Sequence, residues 1–156
     1  MMKKLTLITL IVSAAIVLCA QRTSYRDASG RSNGSATTHG NKTTFRDSSG
    51  RITGTATQYG NRTVYRDASG RTVGSSTQNG NRTTYRDATG RYAGSSTQHG
   101  STTVYRDASG RKDGSATQNG SRTTYRDASG RYTGSASATG NGTVYRDGFN
   151  RTQGKK

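Results

Sequence analysis

Apolar positions along residues 21–156 are few and evenly placed. An aromatic stands at Tyr25, Phe45, Tyr65, Tyr85, Tyr105, Tyr125 and Tyr145, one every 20 residues with no insertion or deletion. Glycine falls every ten residues from Gly30 through Gly140, and the stretches between are rich in Thr, Tyr and Val. Apolar residues do not recur at helical i, i+3, i+4 spacing, whereas β-branched and aromatic residues suit strands. The pattern predicts seven-residue strands joined by three-residue loops. Loops so short join strands only antiparallel. The expected fold is therefore all-β, an antiparallel meander of about 13–14 short strands built from seven 20-residue hairpin repeats. Repeats begin near residues 21, 41, 61, 81, 101, 121 and 141, the last being truncated. A right-handed twist of about 20–25° per strand should coil such a sheet into a barrel, a propeller-like ring or a hairpin spiral, closed or open.

The unit reads N-R-T-T-Y-R-D-A-S-G-R-x-x-G-S-A-T-Q-N-G, and its first loop carries the clearest chemistry. In Asp67-Ala68-Ser69-Gly70-Arg71 the aspartate suits the first turn position, where its carboxylate can accept turn N–H groups. Glycine suits the left-handed site of a G1 bulge. The same reading makes turn caps of Asp27, Asp47, Asp67, Asp87, Asp107, Asp127 and Asp147, and turn glycines of Gly30, Gly50, Gly70, Gly90, Gly110 and Gly130. The second loop, Thr77-Gln78-Asn79-Gly80-Asn81, is expected to have the same length. With Asp67 opposite Arg71, Tyr65 should face Val73 and Thr63 should face Ser75, while Val73 meets Tyr85 and Arg71 meets Asp87 in the next hairpin. Each such arginine would lie between two aspartates, and the tyrosine face would be the more buried.

The alternative architecture is a parallel β-solenoid with one coil per repeat. Its stacked coils would set identical residues about 4.8 Å apart and make unbroken arginine ladders, repelling by about 1 kcal/mol per neighbour even in water. The meander separates those charges by an intervening strand and is preferred. A membrane-spanning barrel is disfavoured too, because the strands fall short of roughly 9–11 residues and neither face is continuously apolar.

Composition narrows the class further. Hydrophobic residues make up 27% of the chain, Pro and Trp are absent, and no Leu, Met or Cys occurs after residue 20. A conventional oily core is out of reach. Met1 to Lys4 supply a basic start, Leu5 to Leu18 an apolar run and Cys19-Ala20 a small-residue end, the layout of an export leader over residues 1–20. Cleavage after Ala20 leaves residues 21–156 as a single β-repeat domain without cysteine; lipidation at Cys19 is the competing outcome. The expected address is the periplasm, cell surface or extracellular space.

The Tyr-Arg-Asp-Ala-Ser-Gly-Arg motif resembles the YD repeat of Rhs and related secreted toxin shells, in which Tyr-Asp-x-x-Gly-Arg recurs at a similar period. The resemblance lies in the Asp-x-x-Gly-Arg core and the spacing, and it implies a β-hairpin array and no activity.

No catalytic, cofactor-binding or metal-ligating set emerges. His39 and His99 are isolated in loops where Tyr59, Asn79 and Asn119 stand in other repeats, glutamate is absent, and no serine occupies a nucleophile elbow. Charge is the remaining clue. Removing Lys3 and Lys4 from 24 basic residues leaves 22 against 8 acidic ones, a balance of +14. Arg62, Arg66, Arg82, Arg86, Arg122 and Arg126 recur on one face and are the candidate contacts for a polyanion such as DNA, lipopolysaccharide phosphate or an anionic glycan. The sequence thus points to a non-catalytic structural or surface-interaction module of the cell envelope, able to associate with itself through its terminal strands. The alternative is a secreted basic polyanion-binding factor.

Overall fold

The computed structural model describes residues 21–140 and 142–155. The export leader and Cys19 lie outside the described residues. Strands occur in pairs, one pair per repeat. The first four repeats give β1 (Gln21–Asp27), β2 (Ser32–His39), β3 (Lys42–Arg46), β4 (Ile52–Tyr59), β5 (Arg62–Asp67), β6 (Thr72–Asn79), β7 (Arg82–Asp87) and β8 (Tyr92–His99). The rest give β9 (Thr102–Arg106), β10 (Lys112–Asn119), β11 (Arg122–Asp127), β12 (Tyr132–Thr139), β13 (Gly142–Asp147) and β14 (Thr152–Lys155). Every strand pairs antiparallel with its sequence neighbours, and β1 pairs with β14, so the meander closes into a 14-stranded barrel. Antiparallel pairing throughout rules out the solenoid.

The Asp-x-x-Gly turn forms for the chemical reasons its residues suggest. Gly70 N–H donates to the Asp67 carbonyl at 3.0 Å and Asp67 N–H to the Arg71 carbonyl at 2.9 Å, while Gly70 takes φ +81°. The seventh repeat has Asn150 in the glycine position at φ 64°, and asparagine tolerates that region best among side-chain-bearing residues. The second loop is shorter than expected. Asn79 pairs with Arg82, which leaves Gly80 and Asn81 as a two-residue hairpin loop, with Gly80 first at φ +57°. A glycine with positive φ at the first of two loop positions is the hallmark of a type II′ turn, whose twist matches the strands it joins.

The register differs from the sequence expectation by one residue. Tyr65 pairs with Gly74 and Thr63 with Ser76, because Val73 is extruded as a bulge between Thr72 and Gly74. The same shift recurs in all seven hairpins, at Asn33, Thr53, Val73, Ala93, Asp113, Thr133 and Gln153. One extra residue moves everything after it to the other face. Ser76 therefore faces Tyr85, and Gly74 rather than Arg71 faces Asp87. Arginine is not sandwiched between aspartates. Strand length follows suit, with four to eight residues in place of a uniform seven.

Crossing two strands from Thr43 through Ala56 arrives at Tyr65, two residues beyond Thr63, the counterpart of Thr43. Over seven repeats this stagger gives a shear of about 14, equal to the strand number, hence a tilt of about 36° and a backbone radius of about 13 Å. The closing pair obeys the same rule. Asp27 pairs with Gly154 just as Asp87 pairs with Gly74.

No oily core is enclosed. The buried hydrophobic residues are Ala36, Ala56, Ala116 and Ala136, accompanied by six buried serines, of which Ser95 and Ser135 are only 2% exposed. Among the described residues no buried side-chain nitrogen or oxygen lacks a hydrogen-bond partner. The wall holds itself through its backbone ladder and these small side chains.

Candidate anion-binding wall

The pairing sorts side chains onto two walls. Thr63, Tyr65, Gly74, Ser76 and Gln78 share one, and Arg62, Val64, Arg66, Thr72, Ser75 and Thr77 the other. The tyrosine wall faces inward. Burial raises the Tyr65 phenol, with Ser76 opposing and Tyr85 adding to the rise. Burial likewise pushes Tyr105 up to about 12, reinforced by Tyr85 and Tyr125, and raises Tyr145, reinforced by Tyr125 and Tyr25. The arginines of one wall are all exposed, whereas the aromatics of the other and the threonines beside them are half-buried, so the tyrosine wall lines the interior. The arginines stand outside.

Each aspartate cap is met by backbone N–H groups. Asp67 Oδ1 accepts from Ser69 and Arg71, both at 2.9 Å, and Asp47, Asp87, Asp107, Asp127 and Asp147 repeat the pair with their own turns. Asp27 accepts from Arg31 N–H at 2.9 Å. The Thr89 hydroxyl holds the Asp87 carboxyl below its ordinary value and the Ser129 hydroxyl does the same for Asp127. Asp147 is raised by desolvation but lowered on balance, through the Arg151 N–H and guanidinium. Gly30, Gly50, Gly70, Gly90, Gly110 and Gly130 all take positive φ in these turns.

The candidate arginines separate into two belts. Arg66 Nη1 folds over its own turn to donate to the Gly70 carbonyl at 2.8 Å; Arg86 and Arg126 do likewise to Gly90 and Gly130 at 2.8 and 2.9 Å. Arg62, Arg82 and Arg122 form the second belt near the opposite rim, and Arg122 Nη2 reaches the Ser135 hydroxyl at 3.4 Å. All six are exposed. Arg26, Arg46, Arg106 and Arg146 belong to the first belt by the same contact with their turn carbonyls, and equal phase in the repeat is the signal that would have added them.

Ion pairing does not consume this charge. Among the described residues the one salt bridge is Arg151 Nε to Asp147 Oδ2 at 2.8 Å, where Arg151 also lies 5.1 Å from the Phe149 ring centroid. The expected Asp–Arg side-chain ladder gives way to Asp–backbone caps, because the bulge removes the arginine from its second aspartate. A shallow recess on the outer wall is lined by Thr37, His39, Asn41, Lys42, Thr44 and Arg46, gathering three basic side chains. His39 and His99 sit far apart on β2 and β8, and no cluster of His, Cys, Asp or Glu suited to a metal occurs among the described residues. No described helix is long and apolar enough to cross a membrane.

In comparison with known proteins, no family model matches the chain and no curated protein aligns with it.

Proposed function

We propose that the protein is an exported, non-catalytic surface-interaction module whose outer wall engages anionic polymers. The observation that carries this reading is the pair of outward arginine belts, none of whose described members is ion-paired with an aspartate. Arg66 and its counterparts are tethered to a neutral carbonyl, which fixes the guanidinium without an ion pair. Fixed donors lose less entropy on binding than loose ones. Equivalent arginines recur two strands apart, about 10 Å, so a long polyanion meets many weak contacts at once. The leader-like residues 1–20 support export. Self-association by strand addition is the weaker form of the reading, since β1 and β14 pair with each other.

Retention on heparin and DNA columns tests the proposal. The protein is expected to bind both and to elute only at high salt. Combining Arg62→Gln, Arg82→Gln and Arg122→Gln should shift elution to lower salt and flatten the dependence of log affinity on log salt by roughly 0.9 for each phosphate no longer neutralised. Elution of the unaltered protein at low salt, or an unchanged salt slope in the triple variant, would contradict it.

A further inference from the structure

The inner wall has a chemistry of its own. Reading up one repeat, its strand positions are Thr63, Tyr65, Gly74, Ser76 and Gln78. In the other repeats these tiers hold threonine, an aromatic, glycine, alanine or serine, and glutamine, threonine or alanine. Apart from the Asp and Arg of the turns at one rim, no charged residue among those described occupies an inward position.

The aromatic rings lie along this wall and do not reach across the bore. The Tyr65 and Tyr85 hydroxyls meet those of Ser76 and Ser96 on the next strand at 3.0 and 3.1 Å. Directly opposite each tyrosine is a glycine, Gly74 or Gly94, which leaves room for the ring to lie flat. A ring pinned at its hydroxyl edge and backed by bare backbone turns its π face to the lumen. All seven aromatics are half-buried, and so are the seven threonines beside them. With a backbone radius of about 13 Å, the described residues enclose a bore that their side chains line without filling.

We propose that this bore binds uncharged carbohydrate chains. Sugar rings combine an apolar C–H face with a rim of hydroxyls, and the wall offers the complement: flat aromatic faces flanked by threonine, serine and glutamine. A polyanion finds no countercharge on the inward strand positions. A cation is opposed by the net positive charge of the whole molecule. Phe45, standing where six repeats have tyrosine, keeps the flat face and gives up the hydroxyl. This site is independent of the outer arginine belts.

Calorimetric titration of the full-length protein with maltoheptaose, cellohexaose and chitohexaose in high salt tests the proposal. At least one should bind saturably, with affinity insensitive to salt. The combined variant Tyr65→Leu, Tyr85→Leu, Tyr105→Leu should bind about tenfold or more weakly, the loss of about 1.4 kcal/mol of stacking over the three rings. The corresponding phenylalanine variant should stay within about threefold of the parent, because stacking survives. The Arg62→Gln, Arg82→Gln, Arg122→Gln variant should bind the sugar unchanged, which separates this site from the outer wall. Absence of saturable binding to all three sugars would overturn the proposal, as would full binding by a folded leucine variant. If the leucine variant fails to fold, loss of binding in the phenylalanine variant has the same force.

Discussion

Tyr105 sits between Tyr85 and Tyr125 in the aromatic ring, and its phenol is pushed from its ordinary value of 10.0 up to about 12, first by burial and then by those two neighbours. The folded state thus holds this proton more tightly than the unfolded chain does. Its contribution to stability is intact below pH 10 and is lost as pH rises through the window from 10 to 12. Tyr25, Tyr65, Tyr125 and Tyr145 shift in the same direction. Neighbouring phenols reinforce the rise at Tyr65, Tyr105 and Tyr145. Phenolate absorbance and far-ultraviolet circular dichroism followed together should show strand signal disappearing as the shifted phenols ionise above pH 10. Complete titration of the ring with an intact β spectrum would show that the phenols are not confined as described. The aspartates behave oppositely. Hydroxyl and backbone donors lower Asp87 and Asp127, so the turn caps are in place above the ordinary carboxyl range and weaken as pH falls below it.

The two kinds of glycine in each hairpin serve different needs. At Gly70 a Cβ would meet nothing within 4 Å, and the requirement is only conformational. Alanine there should cost about 1 kcal/mol, the ordinary penalty of left-handed backbone. At Gly74 a Cβ would come within 2.7 Å of the Arg86 carbonyl oxygen, a backbone atom on the next strand that cannot swing aside. Gly74→Ala should cost about 3 kcal/mol, visible as a much larger drop in the urea midpoint than Gly70→Ala gives. Equal drops would contradict the close strand approach. These two glycines also mark the limit of what could be read from residues. The Asp-x-x-Gly turn was legible because each side chain has a turn-specific job. The bulge was not, since Asn33, Thr53, Val73, Ala93, Asp113 and Thr133 share no chemistry and an extra residue leaves no compositional trace. From that single slip follow the misplaced partner of Tyr65 and the expected but unrealised Asp–Arg ladder. The second loop was read one residue too long for a similar reason: Asn79 and Asn81 are both turn-compatible, and only pairing decides which of them belongs to a strand.

At the scale of the molecule, the strand count of about 13–14 was legible from the repeat and is 14 in the structure, whereas closure of the sheet was not fixed by the residues. Twist bends any such sheet, but the number of strands at which its ends meet depends on stagger, which the bulges help to set. The closing junction copies the internal ones in register, so ring size should follow repeat number. Deleting residues 61–80 should therefore yield a folded 12-stranded barrel with a radius of about 11 Å, measurable by small-angle scattering. Deleting only residues 61–70 leaves an odd number of strands, brings the ends together parallel, and should give an open, aggregating sheet. Equal behaviour of the two deletions would show that closure does not depend on equivalent junctions. The described seam comprises two residue pairs between β1 and β14, against six between β6 and β7. Among the described residues it is the least extensively paired junction of the wall.

The extruded residue has a consequence for how this chain can change. Asn33, Thr53, Val73, Asp113 and Thr133 stand exposed at one per hairpin, encircling the barrel near one end. The ladder passes beneath them without using their side chains. This collar is a set of display sites on which polar, acidic and apolar groups can be exchanged while the scaffold stays the same, and diversity between copies of the unit should accumulate there first.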